Sequence, residues 1–161
     1  MAATSAALMI AVVLIVGFLG FVGSRALRTW LRYRGERLIT CPENHATAAV
    51  RVDAAAVAAA SAIDGHRLVL SDCSRWPEKA GCGQECLSQV DRSPEACLVR
   101  HVVDEWFAGK ACAYCGKAMA APGVLQHHSA LLGPDGVTVE WSDVPAERLP
   151  ELFASHVPVC W

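Results

Sequence analysis

The amino-acid sequence predicts an α+β fold in which one N-terminal transmembrane helix precedes a small domain with short hairpins and two or three helices. The transmembrane helix is predicted by residues 6–23, an apolar run of 18 residues without a charge or a proline. The domain is predicted by short strand-like and helix-like segments that alternate along the rest of the chain. Eight of the 161 residues are cysteines. Because about 125 residues bury only a modest core, we expect metal ions to staple this domain.

The apolar run has the length of a membrane anchor. At 1.5 Å per residue it spans about 27 Å, which just crosses the hydrocarbon core of a bilayer. A cleaved secretory signal is the alternative, but such signals begin with basic residues, and residues 1–5 contain no Lys or Arg. Five arginines follow the run instead: Arg25, Arg28, Arg32, Arg34 and Arg37. Because basic flanks stay on the inner side, we expect a single-pass protein of the cell membrane with a cytoplasmic C-terminal domain.

Charge and composition indicate how the chain is organised. We expect residues 1–35 to form the transmembrane helix with its basic juxtamembrane extension. Residues 36–161 would form a cysteine-rich metal-binding domain, as one body or as two lobes, 36–109 and 110–161. Residues 25–37 carry a net charge of +4, which leaves −6 on residues 38–161. Nucleic-acid binding needs clustered Lys and Arg on the folded part, so we expect no nucleic-acid partner.

The first half of the domain contains strand signals and one short helix. Arg37–Thr40 and Ala48–Val52 flank turn-forming residues and predict a hairpin. Ala54–Ile63 is rich in alanine and predicts a short helix, with an apolar linker as the alternative. Arg67–Ser71 predicts a further strand that leads to Cys73.

The clearest helix is predicted from Pro94 to Ala108. Ser93 is a suitable N-cap, Pro94 fits the first helical position and Gly109 fits the end. One apolar stripe contains Leu98, Val99, Val102, Val103 and Trp106. Further on, Ser129–Leu132 and Val137–Trp141 flank a Pro-Asp-Gly turn and predict a second hairpin. Asp143–Ser155 predicts a helix that two prolines interrupt.

The strongest site signal is the sequence Cys112-Ala-Tyr-Cys115-Gly-Lys. Two cysteines separated by two residues and followed by glycine form a knuckle whose sulfurs reach one ion, and Zn²⁺ favours such donors at about 2.3 Å. We expect the remaining ligands from His127, His128 and Cys160. A thioredoxin-type redox motif is the alternative, but it needs the pair to open a helix in a βαβ unit. Cys160-Trp161 has the form of the start of another Cys-x-x-Cys pair, so the protein could continue beyond this point.

A second group of cysteines predicts a second metal site. Cys73, Cys82 and Cys86 lie in one turn-rich segment, and Cys82 and Cys86 would share a face if a helical turn began there. Cys41, which follows the first strand, could complete a four-cysteine structural site. Alternatively, some of these residues are ordinary buried thiols. Cys97 and His101 stand four residues apart and remain open as a ligand pair or as surface residues.

Three other interpretations of the cysteines remain open. The first is an iron–sulfur cluster, although the spacing matches neither common ferredoxin pattern. The second is a redox-active Cys112/Cys115 pair. The third reverses the topology and places the domain outside the cytoplasm with four disulfides. Disulfides persist in such an oxidising compartment, whereas a reducing cytoplasm disfavours them. The sequence contains no phosphate-binding loop, dinucleotide fingerprint, HExxH or GxSxG motif, and its residues indicate no catalytic site.

Two resemblances follow from these motifs. The segment CSRWPEKAGCGQEC, together with the upstream Cys41-Pro42 and the downstream CAYCGK, resembles small uncharacterised bacterial proteins with an N-terminal membrane helix. It covers most of residues 37–160 and implies a membrane-anchored cysteine-rich protein, without an activity. CAYCGK alone resembles one half of a zinc-ribbon or treble-clef knuckle, in which a second Cys or Cys/His pair completes the site. We therefore expect a zinc-binding module that contacts the lipid bilayer and acts in binding or assembly beside other membrane protein subunits.

Overall fold

The computed structural model describes residues 2–61, 67–79, 81–119 and 129–160, with side chains described from residue 8 and without that of Pro77. The chain forms two compact units. The first comprises residues 1–34 and 53–69, and the second comprises residues 35–52 and 70–161. Helices and antiparallel sheets both occur, as the sequence predicts.

The first unit is built on one long apolar helix, α1 (Ala2–Tyr33). Leu8–Tyr33 is long and apolar enough to cross a membrane, and most of its large apolar side chains are exposed, whereas Tyr33 at its end is buried. The apolar run and the arginine-rich extension that follows it therefore form one continuous helix, as predicted. A short helix, α2 (Ala54–Ser61), lies against α1. Residues 62 and 63, where the sequence predicts the end of α2, lie outside the described part of the chain.

In the part of the second unit that the structure describes, two three-stranded antiparallel sheets form the frame. The first has the order β1 (Glu36–Thr40), β2 (Thr47–Val52) and β3 (Leu70–Cys73). In the second, β4 (Ser129–Leu132) lies between β5 (Thr138–Glu140) and β6 (Val157–Cys160). Both predicted hairpins are confirmed. The predicted strand Arg67–Ser71 is shifted, because β2 has an irregularity between Arg51 and Val52 and pairs with residues 70–73.

Among the described residues, four helices connect and cover the sheets: α3 (Trp76–Lys79), α4 (Leu87–Arg92), α5 (Val99–Phe107) and α6 (Leu149–Ser155). Two 3₁₀ turns, Trp141–Asp143 and Ala146–Arg148, precede α6, so the predicted interruption of this helix by prolines is confirmed. One hydrophobic core joins both sheets. It contains Ala49 of β2, Val103 and Phe107 of α5, Leu131 of β4 and Leu149 of α6.

The predicted helix Pro94–Ala108 is too long at its start, and the predicted N-cap at Ser93 is wrong. Residues 94–97 form turns, and α5 begins at Val99. The carbonyls of this segment bind β1 instead of continuing a helix: Leu38 N–H donates to Cys97 O at 2.8 Å, and the fully buried Arg37 donates from Nε to Pro94 O at 3.3 Å. A carbonyl engaged by a neighbouring strand cannot serve equally well as a helical acceptor.

Candidate metal centre

The Cys-x-x-Cys segment forms a tight turn between two short extended stretches. Ala111 and Ala118 form an antiparallel bridge. Within it, Cys112 N–H donates to Lys117 O and Gly116 N–H donates to Cys112 O, both at 2.9 Å. Gly116 has a φ of +70°, a conformation that glycine adopts without strain. The predicted knuckle is therefore present, and its cysteines do not open a helix.

Strand β6 brings the third sulfur to this turn. Its Pro158 O accepts from Ala113 N–H at 2.9 Å, and its Cys160 N–H donates to Cys112 Sγ at 3.2 Å. Because β6 pairs with β4 along its full length, the position of Cys160 is set by the sheet. The backbone thus joins two segments that are 48 residues apart in the sequence.

Cys112, Cys115 and Cys160, which we name the knuckle cluster, have sulfurs that all lie within 4.8 Å of one another. Cys160 Sγ lies 3.3 Å from Cys112 Sγ and 3.4 Å from Cys115 Sγ. These distances exceed the S–S bond of about 2.05 Å. They approach the separation of about 3.8 Å that two sulfurs have when they bind one zinc at tetrahedral angles. The cluster could hold a metal ion.

The electrostatics of the knuckle cluster favour one thiolate. Backbone N–H groups, that of Cys160 first and then that of Cys115, lower the pKa of Cys112 to about 6. The Cys160 thiol forms hydrogen bonds with the sulfurs of Cys112 and Cys115, and these bonds raise the pKa of Cys160 to about 11. Cys112 is buried beside Ala130 and Val159, whereas Cys115 is exposed. A positive ion bound at these sulfurs would favour the thiolate form of all three.

The predicted four-cysteine group lines one cavity of about 60 Å³. Its members, Cys41, Cys73, Cys82 and Cys86, which we name the cavity cluster, come from four different places in the second unit. Cys41 follows β1, Cys73 ends β3, Cys82 lies in the loop after α3, and Cys86 directly precedes α4. The predicted helical turn over Cys82 and Cys86 is absent, because α4 begins only at Leu87.

Two glutamine side chains hold the walls of this cavity together. Gln89 of α4 binds both backbone groups of Thr40, with N–H···Oε1 at 3.1 Å and Nε2–H···O at 2.6 Å. Gln84 accepts from Leu70 N–H, at the start of β3, at 3.0 Å. The loop that carries Cys82 is thereby fixed to β3, which ends at Cys73. Helix α4, which Cys86 precedes, is fixed to β1, which Cys41 follows.

Charged groups surround one side of the cavity cluster. Arg75 Nη1 donates to Cys41 Sγ at 3.0 Å and lies 3.3 Å from Glu43 Oε2. Lys79 forms an ion pair with the other oxygen of Glu43. The backbone N–H of Glu43, assisted by Arg75, lowers the pKa of Cys41. Burial, followed by the repulsion of the other three cysteines, raises the pKa of Cys86 to about 11.

The structure brings the two clusters together to different degrees. In the described part of the chain, only the knuckle cluster has three or more candidate ligand atoms within 4.8 Å of one another. His127 and His128, predicted as further ligands of the knuckle, lie outside the described residues. Ser129, the next residue, pairs with Cys160 across β4 and β6.

Cys97 and His101 have separate partners. Cys97 lies before α5, its Sγ is 3.9 Å from Gln89 O, and burial raises its pKa. His101 is exposed and faces Glu105 at 3.4 Å.

Sequence reasoning missed β6 and the residues that hold the cavity cluster. Val157 and Val159 alternate with Pro158 in a strand-like pattern, but a proline argues against a strand unless it lies at an edge, and β6 is an edge strand. The roles of Arg75, Gln84 and Gln89 depend on contacts distant in sequence, and no local pattern indicates them.

Comparisons with protein-family models, with curated proteins and with solved structures return no match for this chain. The geometry and chemistry of the cysteines are therefore the basis for a function.

Proposed function

We propose that the chain is a membrane-anchored zinc-binding module that acts as a binding or assembly subunit of a membrane complex. The observation that carries this proposal is the convergence of the Cys112, Cys115 and Cys160 sulfurs within 4.8 Å. Three thiolates suit Zn²⁺, which prefers tetrahedral sulfur and nitrogen ligands. His127 or His128 would supply the fourth ligand, since both directly precede the strand that pairs with Cys160.

The anchor is supported by the length, apolarity and exposure of α1. Leu8–Tyr33 is about 39 Å long at 1.5 Å per residue, which exceeds a hydrocarbon core of about 30 Å and leaves its arginines at the headgroups. Their position after the apolar run favours a cytoplasmic domain. A reducing cytoplasm would also keep the thiols available to metal.

A binding role is supported by the surface of the knuckle. Tyr114 lies between the two cysteines of the turn and is 67% exposed. Exposed tyrosines are common anchors of protein interfaces. A metal held by residues on either side would fix the backbone of this tyrosine and present its ring to a partner.

Metal analysis of the full chain tests the zinc site. The protein, purified in detergent under reducing conditions, is expected to contain zinc. Cys115→Ser and Cys160→Ser should each remove about one equivalent, because each removes one ligand of the same ion. Cys97→Ser is the matched control and should retain all metal. A wild-type protein that is folded by circular dichroism and contains no zinc would refute the proposal.

Labelling of Cys115 in intact cells tests the orientation. A membrane-impermeant maleimide should modify this exposed thiol only after the cells are permeabilised and the metal is removed. Labelling in intact cells after metal removal would place the domain outside.

Thiol redox chemistry or electron transfer is the second candidate function. It is favoured by the low pKa of Cys112 and by a second thiol 3.3 Å away. Oxidation would join two thiols in a disulfide and release two protons and two electrons to a partner disulfide. A reduction potential of about −120 to −270 mV for the metal-free protein, together with absence of zinc, would support this function; visible absorption of the purified chain would indicate an iron–sulfur cluster.

A further inference from the structure

We propose that the cavity cluster holds a second divalent metal ion of the zinc type, bound by the four sulfurs of Cys41, Cys73, Cys82 and Cys86. All four cysteines line one cavity of about 60 Å³. A site in which the protein fills all four positions is structural, because no position remains for substrate. This inference is independent of the knuckle cluster and goes beyond the proposed function.

The sequence positions of the four cysteines fit a staple. One ion would connect the end of β1, the end of β3, the loop after α3 and the start of α4, all of which contribute to the lining of this cavity. Binding replaces each S–H bond with a sulfur–metal bond and releases the protons to solvent. The described sulfurs are more widely spaced than those of the knuckle cluster, so metal binding would draw the cavity walls together.

Two hydrogen-bond donors beside the cavity, from Arg75 and Trp76, would stabilise a negatively charged group of sulfurs. A divalent ion with four thiolates carries a net charge of −2, and the guanidinium of Arg75 already donates to Cys41 Sγ at 3.0 Å. Trp76 also lines the cavity, and its buried indole N–H has no hydrogen-bond partner among the described residues. A metal-bound sulfur would be an acceptor for such a donor. Donors of this kind orient ligands and balance their charge at metal sites.

Arg75 acts as a positioning residue, since it would contact a ligand and not the metal. Arg75→Gln should weaken metal binding at the cavity cluster by about 10–100-fold, and Arg75→Lys should restore part of it because the charge is kept. The matched control is Arg51→Gln, which breaks an exposed ion pair with Glu36 and should leave the affinity unchanged. Cobalt bound at the site supplies a further readout, because loss of a donor to sulfur shifts its sulfur-to-metal absorption.

Metal stoichiometry of the full chain in detergent tests the proposal. Wild type should bind two cobalt or zinc ions per chain. Cys112→Ser/Cys115→Ser should keep one ion, with the intense visible absorption of tetrahedral thiolate-bound cobalt, and Cys82→Ser/Cys86→Ser should keep the other. If the first variant is folded and binds no metal, or shows the absorption of an iron–sulfur cluster, the second site is refuted.

A measurement on the wild type covers the case in which a variant does not fold. Zinc should slow alkylation of Cys82 and Cys86, read by mass spectrometry, at least 10-fold while Cys97 changes little. Equal rates with and without zinc would refute the cavity site. Protection of Cys115 in the same sample reports on the knuckle separately, so the failure of one site is distinguishable from that of the other.

Discussion

Backbone hydrogen bonds join the segments of the knuckle cluster, whereas at the cavity cluster glutamine side chains join the loop after α3 and helix α4 to the strands. At the knuckle, the turn at Gly116 and the pairing of β6 with β4 place three sulfurs within 4.8 Å. At the cavity, Gln84 and Gln89 hold the walls, and the sulfurs remain farther apart. Backbone hydrogen bonds place the knuckle sulfurs close together before an ion binds. At the cavity, the ion itself would have to bring the sulfurs together. We therefore expect tighter binding at the knuckle and a larger conformational change at the cavity.

The largest expected effect on the free energy of unfolding comes from the hydrophobic core that joins the two sheets of the second unit. Phe107 is fully buried in the cluster that joins β2 to β4, and Phe107→Ala should lower the free energy of unfolding by about 3–5 kcal/mol. Both clusters should lose metal in the same transition, measured by denaturant unfolding with metal release followed in parallel. Val137→Ala, at an exposed side chain, should stay within about 0.5 kcal/mol of wild type. Release of metal from one cluster alone would show two separately folding lobes.

The next largest effect is a difference in thiol reactivity between the two clusters in metal-free protein. Cys112 and Cys86 are similarly buried, at 3% and 7% exposure, but their pKa values are about 6 and about 11. At pH 7 the thiolate fractions differ by about 10⁴-fold, and the weaker nucleophilicity of the low-pKa thiolate offsets about half of this on a logarithmic scale. Iodoacetamide should therefore modify Cys112 about 30–100-fold faster.

The alkylation rates of the two cysteines should also depend differently on pH. The rate at Cys112 should fall as the pH is lowered through about 6, because protonation removes the thiolate, while Cys86 should react only as the pH rises far above neutrality. Peptide mapping by mass spectrometry measures both. Equal rates at pH 7 would mean that the backbone N–H groups do not stabilise a thiolate at the knuckle.

The difference between the clusters also explains how much the sequence could predict. Cys112, Cys115 and Gly116 form a local pattern, and a local pattern specifies a turn whose hydrogen bonds connect neighbouring residues. The four cysteines predicted as a second site, Cys41, Cys73, Cys82 and Cys86, line one cavity. Their sulfurs are not among the described ligand atoms that converge within 4.8 Å, and the helical turn predicted over Cys82 and Cys86 is absent. The start of α5 was wrong for a related reason: Ser93 and Pro94 are good local signals, yet β1 takes the carbonyls that a longer helix would need. Where a strand from elsewhere competes for a backbone group, local propensity does not decide the outcome.

A smaller effect tests whether side chains position the cavity cluster. Gln89→Ala removes two hydrogen bonds to Thr40 and should cost about 1–2 kcal/mol of stability. Metal affinity should fall at the cavity cluster and stay unchanged at the knuckle, measured by competition with a chelator in the variants that retain one site. Ser88→Ala, on the same helix, is the control and should have little effect on either. An equal loss at both clusters would contradict the separate roles of backbone and side chain.

The smallest effect tests the backbone at the knuckle. Gly116 has a φ of +70° and open space where a Cβ would lie, so Gly116→Ala adds strain without a clash and should cost about 1 kcal/mol. Zinc affinity at the knuckle should fall by about fivefold. Gly109→Ala carries the same kind of strain at a φ of +73° outside the turn, and Gly81→Ala has open space without a positive φ. Gly109→Ala should lower stability without changing zinc affinity, and Gly81→Ala should change neither. If Gly109→Ala weakens zinc binding as much as Gly116→Ala does, general stability and not the turn sets the geometry of the sulfurs.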